Sequence, residues 1–154
     1  MKIDALLKEA LSDPGKPSRA KKRLSLASNE EAVEVVRAIV PMLGPLAKTE
    51  GRYAWSDSTR FAKYIALSEI LVAVLKRTAP FEWDDLAAMM ALEEDMGTRR
   101  MSLLRVLAQV EAFAKKTPLD RPQKAVLRAL RKRYASGWHG HKPIQARLDR
   151  LLGK

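Results

Sequence analysis

The sequence predicts an all-α protein of stacked antiparallel helical hairpins. Apolar residues recur every three or four positions along most of the 154 residues, which is the period of a helix with one buried side. No segment shows the sustained alternation of apolar and polar residues that a half-buried strand requires. Two helix–corner–helix segments also resemble each other at a fixed spacing, as the units of a stacked array do.

The first two predicted helices are short and lie in a basic part of the chain. They cover residues 2–12 and 17–27, and Asp13, Pro14 and Gly15 form the turn between them. Glycine and proline at adjacent positions interrupt helical periodicity, because proline removes a backbone donor and glycine tolerates turn conformations. We therefore expect two separate helices here.

The third predicted helix begins with a capping box. Ser28 supplies a hydroxyl acceptor for a free backbone N–H, and Glu31 stands three residues later to accept the N–H of the cap itself. Pro41 removes a donor from the helix interior, which predicts a kink between Arg37 and Pro41. We expect the helix to end near Lys48.

Five further helices follow at spacings set by prolines, glycines and capping residues. Asp120 is the predicted N-cap of one of them, with Pro122 in the first turn, where a missing N–H costs nothing. The predicted helices cover residues 58–77, 82–95, 98–116, 121–135 and 143–152, with a loop at 136–141.

The two similar segments form an internal repeat. In each, a long helix ends in two basic residues and a threonine, and an acidic residue begins a shorter helix after a proline corner. The charges suit the helix macrodipole at both ends. The sequence therefore predicts that each corner lies inside one hairpin. Corresponding residues of the two segments are separated by the same number of positions in the chain. These pairs are Pro80 and Pro118, Glu82 and Asp120, and Leu92 and Leu130.

This arrangement resembles the HEAT and armadillo families of α-helical repeat proteins over about residues 29–135. The likeness lies in the repeated helix–corner–helix units and in the helix that contains Pro41, whereas the repeat period falls just under the range of those families. The resemblance implies a short α-solenoid in which neighbouring hairpins bury each other's apolar faces. An irregular helical bundle is the alternative architecture.

The length fits one helical domain covering residues 1–154. Within it we distinguish three parts. Residues 1–27 form basic N-terminal helices whose attachment to the rest the sequence leaves open. Residues 28–135 form the helical-hairpin core, and residues 136–154 form a loop and a C-terminal cap helix.

Charge is distributed unevenly along the chain. The total is +11, but residues 28–97 carry 7 basic and 12 acidic residues, whereas residues 98–154 carry 15 basic and 3 acidic ones. Cysteine is absent, which excludes disulfides and thiolate metal sites. No apolar run approaches the roughly 20 residues of a membrane span, and the N-terminus lacks a signal-peptide core. We expect a cytoplasmic protein with no membrane partner.

No catalytic motif occurs in the sequence. It contains no Gly-x-Ser-x-Gly, no His-Glu-x-x-His and no glycine-rich phosphate loop. We therefore expect a non-catalytic protein without a cofactor.

Two groups of residues contain side chains that could bind a metal ion, but neither forms a complete ligand set in the sequence. His139 and His141 could supply two ligands with Asp149 as a third, but zinc sites need three or four ligands. Glu82 and Asp85 are spaced to share a cation, although acidic residues at a helix N-terminus serve its dipole equally well. We expect no metal site.

The basic C-terminal third is the strongest functional signal. Cations recur every three to four residues on the helix after Asp120, opposite its apolar side. A face of this kind suits the phosphate backbone of nucleic acid, and a nearby aromatic could stack on a base. The candidate nucleic-acid-binding residues are Lys124, Arg128, Arg131, Lys132, Arg99, Arg100, Lys115, Lys116 and Trp138.

The sequence thus predicts a helical-repeat module that binds a polyanion, either DNA or RNA, through its C-terminal basic face. The alternative is a protein-interaction scaffold or assembly subunit that does not bind nucleic acid. The two hypotheses differ in whether the basic side chains stay open to solvent or are neutralised by carboxylates of the same chain.

Overall fold

A computed structural model of the chain describes residues 1–47, 58–96, 100–135 and 141–154, which form eight α-helices and no strand. The all-α prediction is therefore confirmed. The helices are α1 (Ile3–Ser12), α2 (Arg19–Ser25), α3 (Asn29–Ala47), α4 (Ser58–Val74), α5 (Trp83–Met96), α6 (Arg100–Lys116), α7 (Arg121–Arg133) and α8 (Lys142–Leu151).

The helices stack as hairpins in two layers. Consecutive helices pack in pairs, α1 on α2, α3 on α4, α5 on α6 and α7 on α8. Alternate helices then pack on each other, with α1, α3 and α5 in one layer and α2, α4, α6 and α8 in the other. This pattern is that of stacked hairpins, in which each pair buries the apolar face of the next.

The predicted position of the corners within the hairpins was wrong. The corners at Pro80 and Pro118 join α4 to α5 and α6 to α7, and the helices in each of these two pairs have little direct contact. The corners therefore connect one hairpin to the next. A sequence repeat has the same period whether the proline corner lies within a hairpin or between two hairpins. Only the packing of the helices distinguishes these two arrangements.

One apolar core runs through the whole stack. Side chains of α1 and α2, including Leu7 and Leu24, are buried in the same cluster as those of the later helices. The largest fully buried side chains are Leu24, Ile39, Leu43, Leu67, Ile70, Leu71, Leu86, Leu103, Leu107, Leu127, Ile144 and Leu148.

Helix ends follow local chemistry. The N–H of Glu31 donates to Ser28 Oγ at 3.2 Å and the N–H of Ser28 donates to Glu31 Oε1 at 3.1 Å, which confirms the predicted capping box. The third helix continues through Pro41 and Pro45 to Ala47, close to its predicted end. The predicted loop at 136–141 lies outside the described residues except for His141, and so does the segment 48–57 that follows the third helix.

The fourth helix is shorter than predicted, and a side chain of α6 binds the backbone beyond its end. It stops at Val74 rather than near Arg77. Gln109 of α6, which is 5% exposed, donates from Nε2 to the carbonyls of Leu75 at 3.2 Å and Arg77 at 2.5 Å. Its Oε1 accepts the N–H of Ala79 at 3.3 Å. A buried amide thus satisfies backbone groups that the helix leaves free at its C-terminus.

Candidate nucleic-acid interface

The orientation of α7 is fixed by its cap and its buried side. The N–H of Gln123 donates to Asp120 Oδ1 at 2.8 Å, and the N–H of Asp120 donates to Gln123 Oε1 at 3.0 Å. This reciprocal pair confirms Asp120 as the N-cap. Leu127 and Leu130 are buried against the rest of the protein, so the opposite side of α7 faces solvent.

Four cations lie on that solvent-facing side, and we call them the α7 basic stripe: Arg121, Lys124, Arg128 and Lys132. Arg121, Arg128 and Lys132 are exposed and Lys124 is half-buried. Their spacing of three, four and four residues keeps them within roughly 80° of the helix circumference and spreads them over roughly 16 Å.

The α7 basic stripe is not neutralised by the described part of the chain. Among the described residues, none forms a hydrogen bond or an ion pair with any of its four side chains. A row of cations at this spacing repels itself modestly, and a polyanion would relieve that repulsion. Arg121 was not among the predicted residues, although its spacing of seven residues from Arg128 would have placed it on the same side.

Arg131 has a different role from the one predicted. Its Nε donates to Asp149 Oδ1 at 2.9 Å and its Nη2 to Oδ2 at 3.4 Å, while Nη1 donates to the carbonyl of Tyr134 at 3.3 Å. The Arg131 hydrogen bond holds the pKa of Asp149 below its ordinary value. This forked pair joins α7 to α8 and occupies the groups that a phosphate would need.

Of the remaining predicted residues, the structure describes the side chains of Lys115 and Lys116. They are exposed at the C-terminal end of α6, the helix that precedes α7 in the chain. Arg99, Trp138 and the side chain of Arg100 lie outside the described residues.

Neither candidate for metal binding assembles a ligand set within the described ranges. The ring of His141 stands edge-on to Tyr134, with centroids 4.9 Å apart, and Asp149 is engaged by Arg131. His139 lies outside the described residues. Across the described ranges, no three His, Asp or Glu side chains are grouped so that they could hold a metal ion.

Asp85 has a structural role, because its carboxylate is engaged in hydrogen bonds within the protein. It accepts from Arg37 Nε at 2.8 Å and Arg37 Nη2 at 3.0 Å, and also from the N–H of Glu82 at 3.0 Å. The Arg37 hydrogen bond, assisted by the Glu82 N–H, lowers the pKa of Asp85 from its ordinary value. The pair joins α3 to α5 across neighbouring hairpins.

This ion pair makes stability depend on pH. A carboxyl group with a lowered pKa stabilises the fold above its ordinary value near 3.9 and loses that contribution as the pH falls through the lowered value. We expect Asp85→Asn to reduce the free energy of unfolding at pH 7, and the deficit relative to wild type to shrink as the pH falls below about 4. Urea unfolding at pH 7, 5, 4 and 3 measures this. A deficit that is constant with pH would contradict it.

None of the helices in the parts of the chain that the structure describes is long and apolar enough to cross a membrane. Comparison with known proteins found no matching family model, no matching curated protein and no matching solved structure.

Proposed function

We propose that this chain is a non-catalytic helical-repeat module that binds the phosphate backbone of nucleic acid. The observation that carries the proposal is the α7 basic stripe, because its four side chains face solvent without a carboxylate partner among the described residues. The proposal includes the HEAT-like character of the repeat and a cytoplasmic location.

The charge of the surrounding protein supports a polyanionic ligand. The net charge is +11, and the part of the chain from Thr98 onward carries 15 of the 29 Lys and Arg residues. A field of this sign attracts anionic partners over about a Debye length. The phosphate backbone of nucleic acid is a dense polyanion, and Lys and Arg side chains that neutralise its phosphates release bound counterions.

The proposal predicts strongly salt-dependent binding. If all four cations contact phosphates, the logarithm of the association constant should fall with the logarithm of salt concentration at a slope of about −3.6 on duplex. Raising salt from 50 to 200 mM should then weaken binding roughly 150-fold. Fluorescence anisotropy with a labelled oligonucleotide measures the slope. No binding at 50 mM salt would contradict the proposal.

The alternative function, a protein-interaction scaffold, is favoured by a separate observation. On the outer side of α4, Phe61 is 40% exposed and Ile65 is 38% exposed, and Val72 continues the same side at helical spacing. Apolar side chains grouped in this way suit a protein partner. The two functions are separable, because Ile65→Ser would weaken protein binding and leave nucleic-acid binding unchanged.

A further inference from the structure

We propose that the ligand of the α7 basic stripe is a nucleic-acid duplex, held through its two phosphate backbones with little reading of sequence. This inference rests on the proposed function and names the form of nucleic acid that it takes. It follows from the shape and the length of the α7 basic stripe and from the aromatic and small side chains in the described part of the protein.

The shape of the α7 basic stripe suits a duplex. The stripe lies opposite buried Leu127 and Leu130, so it runs along the outer side of one helix rather than inside a groove. Proteins that bind single strands without sequence preference usually enclose the strand in a charged groove. A duplex offers phosphates on its outside, where an exposed helix side can reach them.

The described aromatic side chains are not arranged as a stacking platform for single-stranded bases. Tyr134, at the end of α7, is 8% exposed and packs against His141. Trp83 and Phe113 contact each other between α5 and α6, with centroids 5.9 Å apart. Phe61 is exposed, but it belongs to α4, which has at most a slight contact with α7. Single-strand binding draws much of its affinity from such stacking.

The part of α7 beside the cations offers few side chains that could form hydrogen bonds with bases. Ala125 and Ala129 are exposed on the side of α7 that borders the stripe. Gln123, the amide of this helix, is held in the capping box with Asp120. Asn and Gln read adenine in the major groove, and Arg or Lys can read guanine. Hydrogen bonds to bases from this surface could therefore come only from the cations of the stripe, and we infer that these cations contact mainly phosphate, as most side chains at such interfaces do.

The length of the stripe also favours the denser polyanion. A duplex carries one negative charge per about 1.7 Å of axis, whereas one strand carries one per about 3.4 Å. Over roughly 16 Å of helix, a duplex therefore carries about twice the negative charge of a single strand, which strengthens its attraction to four cations. A duplex is also stiff, so little order is lost on binding, whereas a flexible strand must be immobilised.

The test compares a mixed-sequence DNA duplex of 20 base pairs with one of its strands, by fluorescence anisotropy in 100 mM salt with the full chain. We expect the duplex to bind at least about tenfold more tightly, and AT-rich and GC-rich duplexes to differ less than tenfold. Arg128→Gln should weaken duplex binding about eightfold and reduce the salt slope by about 0.9. The matched control Lys8→Gln, at an exposed position of α1, should leave the slope unchanged.

Tighter binding of the single strand would overturn the inference, as would loss of most affinity on Trp138→Ala, since either result would identify base stacking as the main contact. Both outcomes would leave the proposed function standing. Absence of binding to duplex and strand alike at 50 mM salt would instead overturn the proposed function and this inference together.

Discussion

Reversing two charges of the α7 basic stripe, in the double variant R128E/K132E, is expected to weaken duplex binding at least about 60-fold at 100 mM salt. Release of counterions contributes about eightfold per phosphate contact at this concentration, so loss of two contacts gives roughly 60-fold. Repulsion between the new glutamates and phosphate adds to that loss. Anisotropy titration of the same duplex measures the change.

The variant should fold normally. Arg128 and Lys132 are exposed, and glutamate is a good helix former. The two new glutamates, four residues apart, repel each other as the two cations did, whereas the glutamate at position 128 attracts Lys124. Lys132 lies in the last turn of α7, where a negative charge opposes the helix dipole. Circular dichroism should therefore match the wild type, and urea unfolding should match it within about 1 kcal/mol.

The matched control separates local contact from overall charge. K8E/K22E produces the same change in net charge on exposed positions of α1 and α2. We expect it to weaken binding only a few-fold, through the long-range field. Equal losses in the two double variants would show that net charge alone drives binding, and would contradict a specific contact by α7.

Replacing the buried amide in Gln109→Leu is expected to lower the free energy of unfolding by about 2–3 kcal/mol. Leucine has a similar volume, so the cavity is small. The main cost is that the carbonyls of Leu75 and Arg77 and the N–H of Ala79 lose their partner. A buried backbone group without a hydrogen bond costs about 1–3 kcal/mol, and less where water reaches the corner.

Urea unfolding followed by circular dichroism measures this loss. Gln123→Leu is the control, because Gln123 also makes a side-chain hydrogen bond to backbone but at the exposed start of α7. We expect the control to lose about 0.5–1 kcal/mol, the ordinary value of a capping interaction. If Gln109→Leu lost no more than this control, solvent would be replacing its hydrogen bonds and the expectation would be wrong.

Features that depend on near neighbours in the chain could be predicted from the sequence. The helix positions, the Ser28 and Glu31 capping box and the Asp120 cap involve residues at most four apart, and their geometry is the same in any helix. The solvent-facing side of α7 with Lys124, Arg128 and Lys132 also follows from helical periodicity and one buried stripe.

The tertiary structure alone decided which groups meet across helices. Arg131 and Asp149 are 18 residues apart, Gln109 and Arg77 are 32 apart, and Arg37 and Asp85 are 48 apart. The pairing of helices into hairpins likewise depended on packing, because the sequence repeat does not show which of two successive turns lies within a hairpin. Interactions between residues close in the chain determined the helices and the basic side of α7. The packing of distant segments alone determined which cations are neutralised by carboxylates and which remain accessible to a ligand.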